Sequence, residues 1–436
     1  MVRAVSFAAV LLLPAAVSAT EPTLDPRAAV DRISERIESN YFDPAIAERI
    51  AGELRADVEA GRFDRLTDPR ELAATLTERL RAEDAHFSVV WSPPEPPPQA
   101  AAAARAPVVD AGDVARENHG FRRVEVLPGN VGLVELTLFA HFESTAASAG
   151  SARPVADAAL ALLARSQALI VDLRDCRGGS PAMVGYLVGH FVADGADVYN
   201  TFKSRGPDQY ERPTVPITAP RRLDVPLYVL TSGRTGSGAE SFAYTLQAAR
   251  RATIVGERTA GAANPGDFHA VGDGLAVFVS GGRPVNPITK GNWEGDGVAP
   301  DRVVPAAGAE AAAYELALEE ALARAQPGPA ATETRWVLEA HWASREALPL
   351  GGDERRPYAG GYGSRRILDT GGELVYVLDR RPALRLLRLD GDSFALEGAP
   401  LTRLEFERSS DGEVVALVVR HASGAVARFP RSMPEK

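Results

Sequence analysis

The chain has 436 residues, 45% hydrophobic and 24% charged, with a formal net charge of −10. That length asks for two or three domains with at least one sizeable core, and the acidic balance without a basic cluster excludes nucleic acid and anionic membrane as partners. A single cysteine, Cys176, excludes an intramolecular disulfide; with no small-residue turn before it, it reads as a buried structural thiol.

The chain opens with an export signal. Arg3 supplies a charged start, Phe7 to Leu13 a short apolar run, and Val17-Ser18-Ala19 a small-residue cleavage site, so residues 1–19 are expected to be removed after Ala19. The run is too short to span a bilayer, which implies an exported, periplasmic or extracellular protein with no integral membrane segment in the mature chain.

Residues 20–92 read as a helical domain. Asp43-Pro44 and Asp68-Pro69 each place a carboxylate cap before a first-turn proline. Ile46, Ile50, Leu54 and Val58 follow the first at helical spacing, and Leu72, Leu76 and Leu80 the second. His86 to Trp91 then reads as a strand. Residues 93–119 form a Pro- and Ala-rich linker. Residues 120–325 alternate apolar strands (131–136, 168–173, 227–230, 252–256) with helices (155–163, 183–192, 237–249). That pattern predicts an α/β core whose mostly parallel sheet is covered on both faces. In residues 335–436, short alternating segments are separated by Gly371-Gly372, Asp390-Gly391, Asp411-Gly412 and Ser423-Gly424, the turn signals of an antiparallel β domain.

Four segments carry chemistry. Ser237 follows a buried strand and a Gly-rich turn and opens a helix, where backbone N–H groups can stabilise an oxyanion; it equally suits a helix cap completed by Glu240. A serine nucleophile needs a base. Lys203, Lys290 and Lys436 are the only lysines, and neither internal one lies in a buried apolar run. Among the 7 histidines, His86 sits at a fixed place between a helix end and a strand. Asn292 to Asp301 is a turn-rich loop in which Glu294 or Asp296 could orient a histidine. Asp172 to Ser180 contains a Gly-Gly pair after a parallel strand, placed to present an amide to an oxyanion.

These segments resemble the tail-specific, or C-terminal-processing, serine protease family, in the branch of the tricorn protease core and interphotoreceptor retinoid-binding protein. The resemblance rests on Asp84-Ala-His-Phe-Ser-Val, Leu127-Pro-Gly-Asn-Val-Gly, Val171-Asp-Leu-Arg, Thr235-Gly-Ser-Gly-Ala-Glu, Val255-Gly-Glu-Arg-Thr-Ala-Gly and Asn292-Trp-Glu-Gly-Asp-Gly-Val-Ala-Pro-Asp. It implies a crotonase/Clp protease-like core, Ser237 as nucleophile, His86 as base and Glu294 as acid, with Gly238 and Gly179 at the oxyanion amides. It also implies a polypeptide substrate and neither metal nor other cofactor. The lysine that many relatives carry after Val-Gly-Glu-x-Thr is missing here, as is the intervening PDZ domain. Ala85 replaces the hydroxyl found before the histidine in the tricorn core. Tyr358-Ala-Gly-Gly-Tyr-Gly resembles small β-barrel modules appended to bacterial hydrolases. Two other outcomes share these residues: a hydrophobic-ligand binding protein on the same fold, which loss of Ser, His or Glu would have favoured, and an ester or amide hydrolase with no role on proteins.

Overall fold

The structure, a computed structural model, describes residues 24–92, 111–142, 151–346 and 350–432. The expected export signal, residues 1–19, and residues 93–110 of the linker lie outside them; the linker's end is helical over Ala111–Arg116. No helix among the described residues is long and apolar enough to cross a membrane. The chain divides into two compact units, one of residues up to 92 with Gly266–Gly281, the other of the remainder.

The first unit begins with three helices, Pro26–Asn40, Pro44–Glu59 and Pro69–Arg81, each opened by an aspartate cap (Asp25, Asp43, Asp68) and a first-turn proline. The cap carboxylate accepts the first free N–H groups, and proline's fixed φ suits a position that needs no donor. Ile33, Ile37, Leu54, Leu72 and Leu76 form its core together with Val271, Val277 and Val279. The latter three come from a hairpin, Gly266–Gly272 and Leu275–Ser280, whose second strand pairs antiparallel with Ser88–Trp91. This hairpin lies within the stretch read as part of the α/β core, yet it groups with the helices. Leu275, Val277 and Val279 alternate with the half-buried Ala276 and Phe278, so the buried face of that strand needs the apolar surface that the helices supply.

The second unit is built on a six-stranded sheet in the order Arg302–Val303, Thr253–Gly256, Leu227–Thr231, Ala168–Asp172, Val131–Leu136, Phe121–Leu127. All neighbours are parallel except the last pair, a hairpin. Leu169, Val171, Leu227 and Val229 face the helices Ala152–Leu162, Pro181–Gly189 and Gly238–Ala248. Ala168, Ile170, Tyr228 and Leu230 face the opposite way, onto the helix Ala306–Arg324. Alternate residues of one apolar strand therefore serve two layers, which is why these strands read as unbroken hydrophobic runs. The helix Pro329–Glu346 carries the chain onward to eight antiparallel strands between Gly360 and Pro430, each paired with the next. The β segment thus starts well after residue 335. Ser432 N–H donates to Gly361 O at 2.8 Å, bringing the last strand's end back to the first. Tyr362, Phe394 and Phe406 fill the interior, and Arg403 lies over Trp336 of the preceding helix at 4.4 Å.

Candidate active site

Three adjacent parallel strands end at the same edge of the sheet, and the loops that leave them meet there. The loop after Asp172 is tied to the loop after Thr231. Gly236 N–H donates to Cys176 O at 3.1 Å, and the hydroxyls of Ser232 and Thr235 donate to the carbonyls of Arg174 and Leu173. The loop after Gly256 joins through Ala260 N–H to Thr235 O at 3.0 Å.

These ties hold Ser237 at φ 51° and ψ −122°, a backbone conformation that L-residues rarely adopt. Such a conformation costs about 1–3 kcal/mol and persists only where its surroundings over-determine it. Ser237 is exposed between buried Gly236 and Gly238. Gly178 lies directly against it at φ 106°: a β-carbon there would come within 2.7 Å of both Gly238 N and Ser237 Cβ. Gly238 and Gly179 are neighbours, since a β-carbon on Gly238 would stand 3.0 Å from Gly179 O and 3.1 Å from Gly179 N. Neither amide donates a hydrogen bond among the described residues. Helix geometry leaves the Gly238 donor without an intrahelical partner. Gly179 is bypassed because its neighbours make the bridge to Phe139, with Phe139 N–H on Gly178 O and Ser180 N–H on Phe139 O.

Glu240, read from sequence as a capping partner only, is the hub of this edge. It is fully buried. Its Oε2 accepts Ser237 N–H and Ala262 N–H, both at 2.8 Å, and its Oε1 accepts the Thr259 hydroxyl at 2.5 Å and Gly261 N–H at 2.7 Å. Burial pushes its carboxyl above the usual range, against the pull of these four donors. The next two amides of the same loop, Ala263 and Asn264, donate to Glu294 Oε2 at 2.8 and 3.0 Å. One stretch, Thr259 to Asn264, thus anchors both carboxylates. Trp293, 2% exposed and 5.2 Å from the Tyr244 ring, seats the Glu294 turn on the helix that Ser237 opens. Glu294 is half-buried, whereas Asp296 is exposed and takes part through its carbonyl, which accepts from Arg258.

His86 belongs to the helical unit. The turn after helix Pro69–Arg81 is closed by Phe87 N–H on Asp84 O at 3.0 Å. Asp84 is buried; its Oδ1 accepts His86 N–H at 2.9 Å and stands 3.4 Å from His86 Nδ1, and its Oδ2 accepts from Tyr41 at 3.3 Å. Sequence reasoning missed Asp84 as a partner of the histidine. Its two-residue spacing to His86 is the one signal that could have raised it. Other groups have other roles. Burial pushes the Cys176 thiol up to about 12, so it is a packed side chain. Lys203 pairs with Asp208 and, like Lys290, is exposed. His190 is buried, with its pKa lowered to about 4.

Residues 130–304 match the model of peptidase family S41. Among solved structures, the chain is similar to a lipoprotein from Streptococcus agalactiae (14% identity, 72% of this chain and 100% of that one, TM-score 0.43). It is also similar to the photosystem II D1 C-terminal processing protease (16%, 65% and 94%, 0.40) and to the tricorn protease (15%, 41% and 15%, 0.26). The match to peptidase family S41 thus covers the segment that carries Gly179, Ser237 and Glu294.

Proposed function

We propose that the protein is an exported serine peptidase working through Ser237, His86 and Glu294, with the amides of Gly238 and Gly179 as its oxyanion hole. The observation that carries this reading is an exposed serine in a strained turn beside two uncommitted amides. Strain of this kind holds a side chain out from the sheet edge where a carbonyl can reach it. His86 takes the Ser237 hydroxyl proton as the oxygen bonds to the peptide carbonyl carbon, and the two amides hold the resulting oxyanion. The proton passes to the leaving amine as the C–N bond breaks. Water repeats the cycle on the acyl-enzyme and returns the proton to Ser237.

Glu294 is preferred over Asp296 as the acid because two amides fix its carboxylate while Asp296 is exposed. Asp84 positions the histidine turn, through the His86 N–H and alongside Nδ1. Export rests on residues 1–19; N-terminal sequencing of protein from its native host should begin at or near Thr20, and an intact Met1 on exported material would refute that part.

Fluorophosphonate labelling tests the nucleophile. Wild-type protein should label at Ser237 and Ser237→Ala should not, at an unchanged melting temperature. Equal labelling of the folded variant would remove Ser237 from the mechanism.

A further inference from the structure

A buried polar network runs beside the helix that Ser237 opens. Asn200, Glu211, Ser241, Thr245 and Asn286 are each 2% exposed or less. The backbone fixes which way its amides point. The N–H groups of Ile288 and Thr289 can only donate, and both reach Asn286 Oδ1, at 3.0 and 3.2 Å. Asn286 therefore turns its Nδ2 to Asn200 Oδ1, at 2.9 Å. Asn200 in turn aims its own Nδ2 at Ser241 Oγ, Thr245 Oγ1 and Glu211 Oε2, at 2.8, 3.0 and 2.9 Å. Ser241 donates onward to the same Glu211 oxygen at 2.5 Å, and Glu211 N–H donates to Asn200 O at 3.0 Å.

The network joins two pieces of the proposed site. On one side, Ser241 lies one turn after Ser237 and donates its N–H to Ser237 O at 3.0 Å. Ser241 and Thr245 share a helix face with Tyr244, whose hydroxyl meets that of Thr289 at 2.8 Å. On the other side, Asn286 closes the turn 286–291, its N–H on Gly291 O and its carbonyl accepting Lys290 N–H. Asn292 follows directly; its side chain donates to Pro284 O and accepts Glu294 N–H, both at 3.0 Å. The nucleophile's helix and the acid's turn thus meet through one amide pair, Asn200 and Asn286.

Apolar contacts tolerate small slides, whereas buried polar groups cost free energy unless every partner is in place. Such a network adds little net stability over apolar packing, and its bonds are all made in one register. We infer that Asn200 is a positioning residue for catalysis, holding the Glu294 turn in register with the Ser237 helix through Asn286, while Glu211 holds Asn200; this rests on the proposed active site.

A double-mutant cycle tests it, because a residue that acts through Glu294 loses its effect once the Glu294 carboxylate is gone. Asn200→Leu should lower kcat on a cleavable peptide about tenfold to a hundredfold at unchanged KM. In Glu294→Gln protein the same substitution should change kcat by less than about twofold. Ser241→Ala removes a single hydroxyl and serves if Asn200→Leu does not fold; it should show the same dependence on Glu294, with a loss of about threefold. A merely structural role would lower the melting temperature and cost the same in both backgrounds. Equal losses with and without the Glu294 carboxylate, or undiminished kcat in the folded variants, would overturn the inference. Wild-type protein that never labels at Ser237, or full activity of Glu294→Gln, would instead sink the active site itself, and this inference with it.

Discussion

The turn that presents Ser237 and the turn that presents His86 are built on opposite principles. Ser237 sits where three parallel strands end, and loops from three distant parts of the chain cross-brace it through Cys176 O, Thr235 O and the Glu240 carboxylate. His86 sits in a short local turn, held by Asp84 two residues earlier and by the Tyr41 hydroxyl. Many long-range bonds can stabilise a backbone conformation that costs free energy; a local turn positions a side chain in an ordinary one. The nucleophile should therefore be sensitive to its surroundings, and the histidine turn mainly to the carboxylate two residues before it.

The largest effects should come from removing the reacting groups. His86→Ala and Glu294→Gln should each lower kcat/KM on a cleavable peptide by about ten-thousandfold. Lys203→Ala and Lys290→Ala should leave it near normal, because both amines are exposed. Collapse on loss of either lysine would overturn the assignment of the base.

Next come the two turns themselves. Gly178→Ala should lower kcat about a hundredfold, because its β-carbon displaces Gly238 N and Ser237. Asp84→Asn should cost about tenfold to a hundredfold and shift the pH profile, since the carboxylate lies 3.4 Å from Nδ1. Equal losses for Asp84→Asn and Glu294→Gln would make Asp84 as important as the proposed acid.

Smaller still are the stability effects beneath Ser237. Glu240→Gln replaces an acceptor of four donors with a group that is half donor, and should destabilise by about 2 kcal/mol in chemical denaturation. Glu211 lies fully buried beside Asn200 and Ser241, and burial pushes its carboxyl up to about 7 from 4.5. A raised folded-state pKa means that the protonated form favours the fold. The stability is fully present below about 4.5 and is lost as pH rises through about 7, on the order of 3 kcal/mol in all. Glu211→Gln should flatten that part of the stability–pH curve; a curve unchanged from wild type would assign the dependence elsewhere.

The strands at 131–136, 168–172, 227–231 and 253–256 and the helices between them were legible in the sequence, because a strand buried on both faces is a continuous apolar run and the helices are long enough to show their period. Ser237, Gly179 and Glu294 were legible as residue types in turn-rich contexts. Only the tertiary structure decided that Gly179 and Gly238 adjoin, that Glu240 is an anchor and not merely a cap, and that the hairpin 266–280 packs with the helices. Each of these depends on which distant segments meet. Local pattern sets the period and capping of an element, which are short-range properties of the chain. The partner that satisfies a buried carboxylate or covers an apolar face is selected by the whole fold.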